Sequence, residues 1–162
     1  MGKIIEVCKK KRGIIKMAGK IVFSSYERVD ELDLSDYRYK LQIVRYPTKG
    51  IKPDFMHFPA LAPSEDLFNR TKRRWKQLKF TKEEKSFMAT GKTGTWFDLY
   101  EVSFIHEKKR DLAFMGAFHQ ILSSIQRGDS FLIICYCENH ERCHRKVVAD
   151  MFEEAGVTVE HL

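Results

Sequence analysis

The chain has 162 residues, 43% hydrophobic and 12% aromatic, and its 29 Lys and Arg outnumber 22 Asp and Glu for a net charge of +7. It is too apolar for a disordered chain, and nine Gly and four Pro exclude a collagen-like one. The longest apolar run, residues 131–134 with their neighbours, is far short of a bilayer span. No apolar segment with a small-residue cleavage site follows the charged N-terminus. The expectation is one basic domain over residues 1–162, cytoplasmic and without a membrane partner. Cys8, Cys135, Cys137 and Cys143 are too few and too clustered for a disulfide scaffold.

Residues 1–19 read as a basic N-terminal extension or an edge strand, with Lys9, Lys10, Lys11 and Arg12 in one cluster. Residues 20–23 read as a first strand that ends at Ser24 and Ser25. Residues 41–44 read as a second, stopped by Pro47 and Gly50. Ser64 caps a helix with Glu65 and Asp66 in its first turn, running through Trp75 to about residue 78. Thr81, Lys82, Glu83 and Glu84 fit a capping box opening a second helix. Residues 96–105 are aromatic-rich and read as helix. Asp111 caps a further helix with Leu112, Met115, Phe118, Leu122 and Ile125 at helical spacing, ending near Gly128.

Residues 130–135 are a continuous apolar run, which suits a strand buried on both faces of a parallel sheet. Val147, Val148, Met151, Phe152 and Ala155 share one face of a C-terminal helix that stops at Gly156. Residues 157–159 read as the last strand. Helix, strand, turn, helix, strand predicts an α/β fold of three layers, Rossmann-like, with a mostly parallel sheet flanked by helices.

The turn after the buried strand carries the chemistry: Cys135, Tyr136, Cys137, Glu138, Asn139, His140, Glu141, Arg142, Cys143, His144 and Arg145 in succession. Ligands of open α/β sheets bind beyond the carboxyl ends of the strands, and a helix N-terminus there attracts an anion. Arg142 and Arg145 offer forked donors to a phosphate or carboxylate. A thiol beside His, Arg and a helix N-terminus becomes nucleophilic, and Cys137 is the best-placed one. The bland alternative has Cys143 packing on the face of Val147, His144 bonding a nearby carbonyl, and Cys135 in the core. A soft-metal reading would use Cys135, Cys137, His140, Cys143 and His144, but their spacing matches no paired-knuckle pattern, so no metal and no cofactor is assigned.

From Cys137 to Arg142 the turn spells C-x4-R, which resembles the active-site loop of rhodanese-like sulfurtransferases, without that loop's usual glycines. The stretch LIICYCENHERCHRKVVADMFEEAGVTVEHL resembles the C-terminal signature of the domain of unknown function 488 family, with Cys135, Cys143, His144 and Arg145 on its Cys and Cys-His-Arg positions. Arg45, Tyr46, Pro47, Leu61 and Pro63 match its middle blocks, and Ser25 and Tyr26 its first strand end. The family's acid two places after the first Cys is replaced here by Cys137, with Glu138 one place later. The resemblance covers most of residues 20–162. It implies a Rossmann-like fold and no settled reaction.

If the first, second and buried strands are parallel neighbours, Ser25, Arg45 and the Cys-His-Arg turn converge on one rim. The leading expectation is an anion pocket built from Ser25, Arg45, Arg142 and Arg145. His144, Glu138 and Cys137 are the candidate catalytic groups. The ligand would carry a phosphate, as a small molecule, a nucleotide or a nucleic acid. One alternative is a Cys137-dependent sulfurtransferase. The other is a non-catalytic nucleic-acid-binding or adaptor module using the basic helix around Trp75, where Arg70, Lys72, Arg73, Arg74, Lys76, Lys79 and Lys82 cluster.

Overall fold

The computed structural model describes residues 18–77 and 96–162. Five strands form one sheet: β1 (Ile21–Ser25), β2 (Tyr39–Gln42), β3 (Met56–His57), β4 (Phe131–Cys135) and β5 (Val159–His161). Their spatial order is β3-β2-β4-β1-β5, and every pairing is parallel. Four α-helices flank the sheet: α1 (Glu65–Gln77), α2 (Trp96–Lys108), α3 (Leu112–Gln126) and α4 (His144–Glu154). The expected three-layer α/β arrangement is present, and the sheet is wholly parallel rather than mostly so.

β1 and β4 lie at the centre, and all ten of their residues are buried. A strand covered on both faces must be apolar on both, which is why residues 131–135 show no alternation. Successive residues still project to opposite sides. Ile21, Phe23, Phe131, Ile133 and Cys135 join the larger core, with Leu67, Phe104, Phe118 and Phe152 from the four helices. Val22, Leu132 and Ile134 face the other way, onto Val29, Tyr37 and Phe55. That second side is closed by short 3-10 turns at Arg28–Glu31 and Leu34–Asp36.

The helix boundaries follow local chemistry. Ser64 Oγ accepts the backbone N–H of Leu67 at 3.1 Å. Asp111 Oδ1 accepts those of Ala113 and Phe114 at 2.9 and 3.2 Å. Each cap satisfies N–H groups that the first helical turn leaves open. Past the helix ends, Gly128 and Gly156 adopt φ of 102° and 88°, the left-handed region in which a Cβ is penalised.

Three expectations need correction. The second strand is Tyr39–Gln42 rather than residues 41–44. The last strand is Val159–His161 rather than residues 157–159, because the Val157 N–H still bonds Phe152 O at 3.0 Å as part of the helix end. β3 was not expected at all; it is two residues long and pairs Met56 with Leu41 and His57 with Gln42. The segment around Ile14 and Ile15 and the helix expected from Thr81 lie outside the described residues, as do Lys79 and Lys82. Among the described residues, no helix is long and apolar enough to cross a membrane.

Candidate functional site

β2, β4 and β1 are adjacent and parallel, so their carboxyl ends share one rim. Ser25 stands in register with Cys135, and the Ile43 N–H continues the ladder to Ile134 O at 2.9 Å. Beyond Cys135 the chain turns back on itself. Asn139 Oδ1 accepts the Glu141 N–H at 3.0 Å and starts a 3-10 turn at His140–Arg142. Cys143 then caps α4, its Sγ accepting the Arg145 N–H at 3.4 Å.

This route returns the chain to the strand end. The sulfur atoms of Cys135, Cys137 and Cys143 all lie within 4.8 Å of one another, with Cys135 and Cys143 Sγ 3.0 Å apart. Cys135 and Cys143 are buried, and Cys137 is exposed. Interaction first with Cys135 and then with Cys143 pulls the Cys137 thiol down, against burial, with His144 and Arg145 adding to the fall. Cys135 moves up, chiefly through Cys137, and Cys143 moves up, chiefly through burial.

His144 does what the bland reading foresaw: its Nε2 bonds Ile43 O at 2.7 Å. A carbonyl can only accept, so Nε2 carries the proton and Nδ1 keeps a lone pair. Nδ1 lies 3.7 Å from Cys143 Sγ. Burial lowers the His144 pKa, which favours this neutral form.

Arg145 is 2% exposed. Its Nη2 makes one long bond of 3.5 Å to Glu138 O, and its Nε and Nη1 have no partner. Arg142 and Glu138 are exposed on the same turn. Ser25 Oγ accepts the Arg28 N–H at 3.2 Å. Arg45, three residues past β2, directs Nε to Pro63 O at 2.7 Å and Nη2 to Pro59 O at 3.3 Å. It therefore clamps the loop before α1. His140 turns aside, pairing with Glu141 at 2.8 Å and stacking on His161 at 4.8 Å between ring centroids.

Sequence reasoning passed over two features of this rim. The Tyr136 hydroxyl donates to Gly50 O at 2.8 Å and accepts the Lys49 N–H at 3.1 Å, tying the loop after β2 to the cysteine turn. Tyr26 packs edge-on against it at 5.2 Å and donates to Lys49 O at 2.9 Å. The second feature is Ser24 Oγ, buried without a partner in β1. Pairs of tyrosines at strand ends carry a signal only once the strand order is known. On α1, Asp66, Asn69, Lys72 and Arg73 line a separate surface cleft.

A family model described as the active DUF488-N3 subclade matches residues 25–156. The chain belongs to the DUF488 family. In this DUF488 chain the matched stretch runs from the end of β1 to the end of α4 and takes in Ser25, Arg45 and the whole cysteine turn. No curated protein and no solved structure matches the chain.

Proposed function

We propose that this DUF488 protein binds a phosphate-bearing ligand at the carboxyl rim of β1, β2 and β4, with Arg145 as the anchoring donor. The observation that carries this reading is the buried guanidinium whose Nε and Nη1 have no acceptor. An uncompensated buried charge is costly, and a guanidinium fork fits two oxygens of a phosphate at once. A bound oxyanion would supply the missing acceptors at the start of α4, where the helix dipole also favours negative charge. Ser25 and Arg142 are further candidate contacts. Arg45 contributes through the loop that its carbonyl bonds hold. The matched subclade is described as active, which supports a retained site somewhere within residues 25–156. His144 through Nδ1 and the exposed Glu138 are the groups available to move a proton. A nucleotide or a nucleic acid end is the ligand class, and the unbridged thiols suit a reducing, cytoplasmic setting.

The test is a titration of inorganic phosphate and a nucleoside monophosphate into wild type, Arg145→Met and Arg145→Lys, followed by calorimetry. Saturable binding to wild type, weaker binding to the lysine variant and none to the methionine variant is expected, with folding checked by circular dichroism. Equal binding by all three overturns the reading.

A second reading, sulfur transfer by Cys137, is favoured by one observation: Cys137 is exposed while its two neighbours are buried. It predicts that iodoacetamide labels Cys137 before Cys135 and Cys143, located by peptide mass mapping. Uniformly slow labelling of all three removes it.

A further inference from the structure

We propose that Cys135, Cys137 and Cys143 form a binding site for zinc or a similarly soft divalent cation, with Nδ1 of His144, 3.7 Å from Cys143 Sγ, as the nearby candidate for the fourth position. This inference goes beyond the phosphate reading and rests on the three sulfurs, which that reading does not use; with an ion bound, His144 Nδ1 is a ligand and Glu138 is the group left to move a proton.

With a zinc–sulfur bond of about 2.3 Å and tetrahedral geometry, sulfurs that share an ion lie about 3.8 Å apart. The three Sγ atoms fall within 4.8 Å of one another, with Cys135 and Cys143 at 3.0 Å, so binding requires only small shifts of the thiols about that spacing. They come from three differently held places: the end of a central strand, an exposed turn, and the cap of α4. The sequence spacing argued against a site because it is not a paired knuckle. The structure answers that objection, because the 3-10 turn capped by Asn139 folds eight residues back so that Cys143 meets Cys135.

His144 has the arrangement that ligating histidines show. Its far nitrogen donates to a backbone carbonyl, Ile43 O, at 2.7 Å, which fixes the tautomer and leaves Nδ1 as the free lone pair. Nδ1 is 3.7 Å from Cys143 Sγ, beside the thiol cluster. Thiolate and imidazole donors together select zinc over magnesium or calcium. Three thiolates and a neutral imidazole around a divalent ion leave a net charge of −1, and the buried Arg145 supplies the opposite charge. Coordination expels the thiol protons to solvent; no electron transfer is involved. His140 lies outside the group of three sulfurs that fall within 4.8 Å of one another and stacks on His161 instead.

The experiment uses the untagged full-length chain, reduced, stripped of metal with a chelator, and held in phosphate-free buffer. Zinc is titrated in competition with a chromophoric chelator, and bound metal is counted by mass spectrometry. Cobalt(II) is added separately to read the thiolate-to-metal absorption. One zinc per chain, a cobalt–thiolate band, and protection of Cys137 from iodoacetamide by zinc but not by magnesium are expected. Cys137→Ala, which changes an exposed residue and leaves the core intact, should weaken zinc binding roughly 100-fold or more, since even outer-shell changes cost 10–100-fold. His144→Gln should shift the cobalt spectrum. Zinc bound well below one equivalent by reduced wild type overturns the proposal. So does equal affinity in Cys137→Ala. Because no phosphate is present, failure here leaves the phosphate titration of Arg145 to be judged by itself.

Discussion

Two buried cations in this chain show how environment separates structure from function. Lys108 is 1% exposed, and its Nζ lies 3.1 Å from Asp111 and 3.3 Å from Glu107. Arg145 is equally buried, and two of its nitrogens have nothing. The first is a satisfied ion group and the second a guanidinium with two nitrogens unpaired among the described residues. Asp129 illustrates the satisfied kind at the surface. Its carboxylate accepts the Ser124 hydroxyl and pairs with Arg38 at 2.8 Å. The Ser124 bond foremost, with Arg38, holds its pKa below the usual value. A carboxyl with a lowered folded pKa adds stability above its unfolded pKa of about 3.9 and loses that contribution as pH falls through the lower folded value. The melting temperature of wild type should therefore exceed that of Asp129→Asn at neutral pH, with the gap closing as pH falls below about 3.9. Melting curves recorded across that range check it, and a gap that is constant with pH contradicts it.

Helix boundaries were the most legible elements, because a cap is a local event. Asp111 accepts two N–H groups at the head of α3 and also faces the buried Lys108. Asp111→Ala removes both, and should cost about 1–2 kcal/mol by urea unfolding, the upper range for a lost cap. Asp111→Ser, which keeps a capping oxygen, should recover part of that loss. β3 was illegible for the opposite reason. Two residues cannot display a period, and this pair is a strand only because β2 offers it an edge. The last strand was read two residues early, since Val157 is apolar whether it serves the helix end or the sheet. At the site, the alternative to a catalytic reading had Cys143 packed and His144 bonding a carbonyl; Cys143 is buried as the cap of α4 and His144 bonds Ile43 O.

At the scale of the molecule, β4 is the hub, with β2 on one side and β1 on the other. Ile133 is fully buried at its centre. Ile133→Ala should destabilise the chain by about 2–5 kcal/mol and Ile133→Val by about 0.5–1.5 kcal/mol. Denaturant midpoints test this, and a small alanine effect would mean the core collapses around the gap. The same hub position makes the turn after β4 the meeting point of three strand ends.

By itself the sequence determined the apolar runs of the central strands, the caps of α1 and α3, the α/β class and the cysteine-rich turn between β4 and α4. These depend on spacing along a few residues, which periodicity and cap chemistry report directly. Only the tertiary structure decided that three sulfurs spread over residues 135–143 share one small volume. It alone also decided that Arg45 turns to the carbonyls of Pro59 and Pro63 while Arg145 keeps two free donors. Those outcomes depend on how a turn closes and which strands lie side by side, and no period in the chain encodes either.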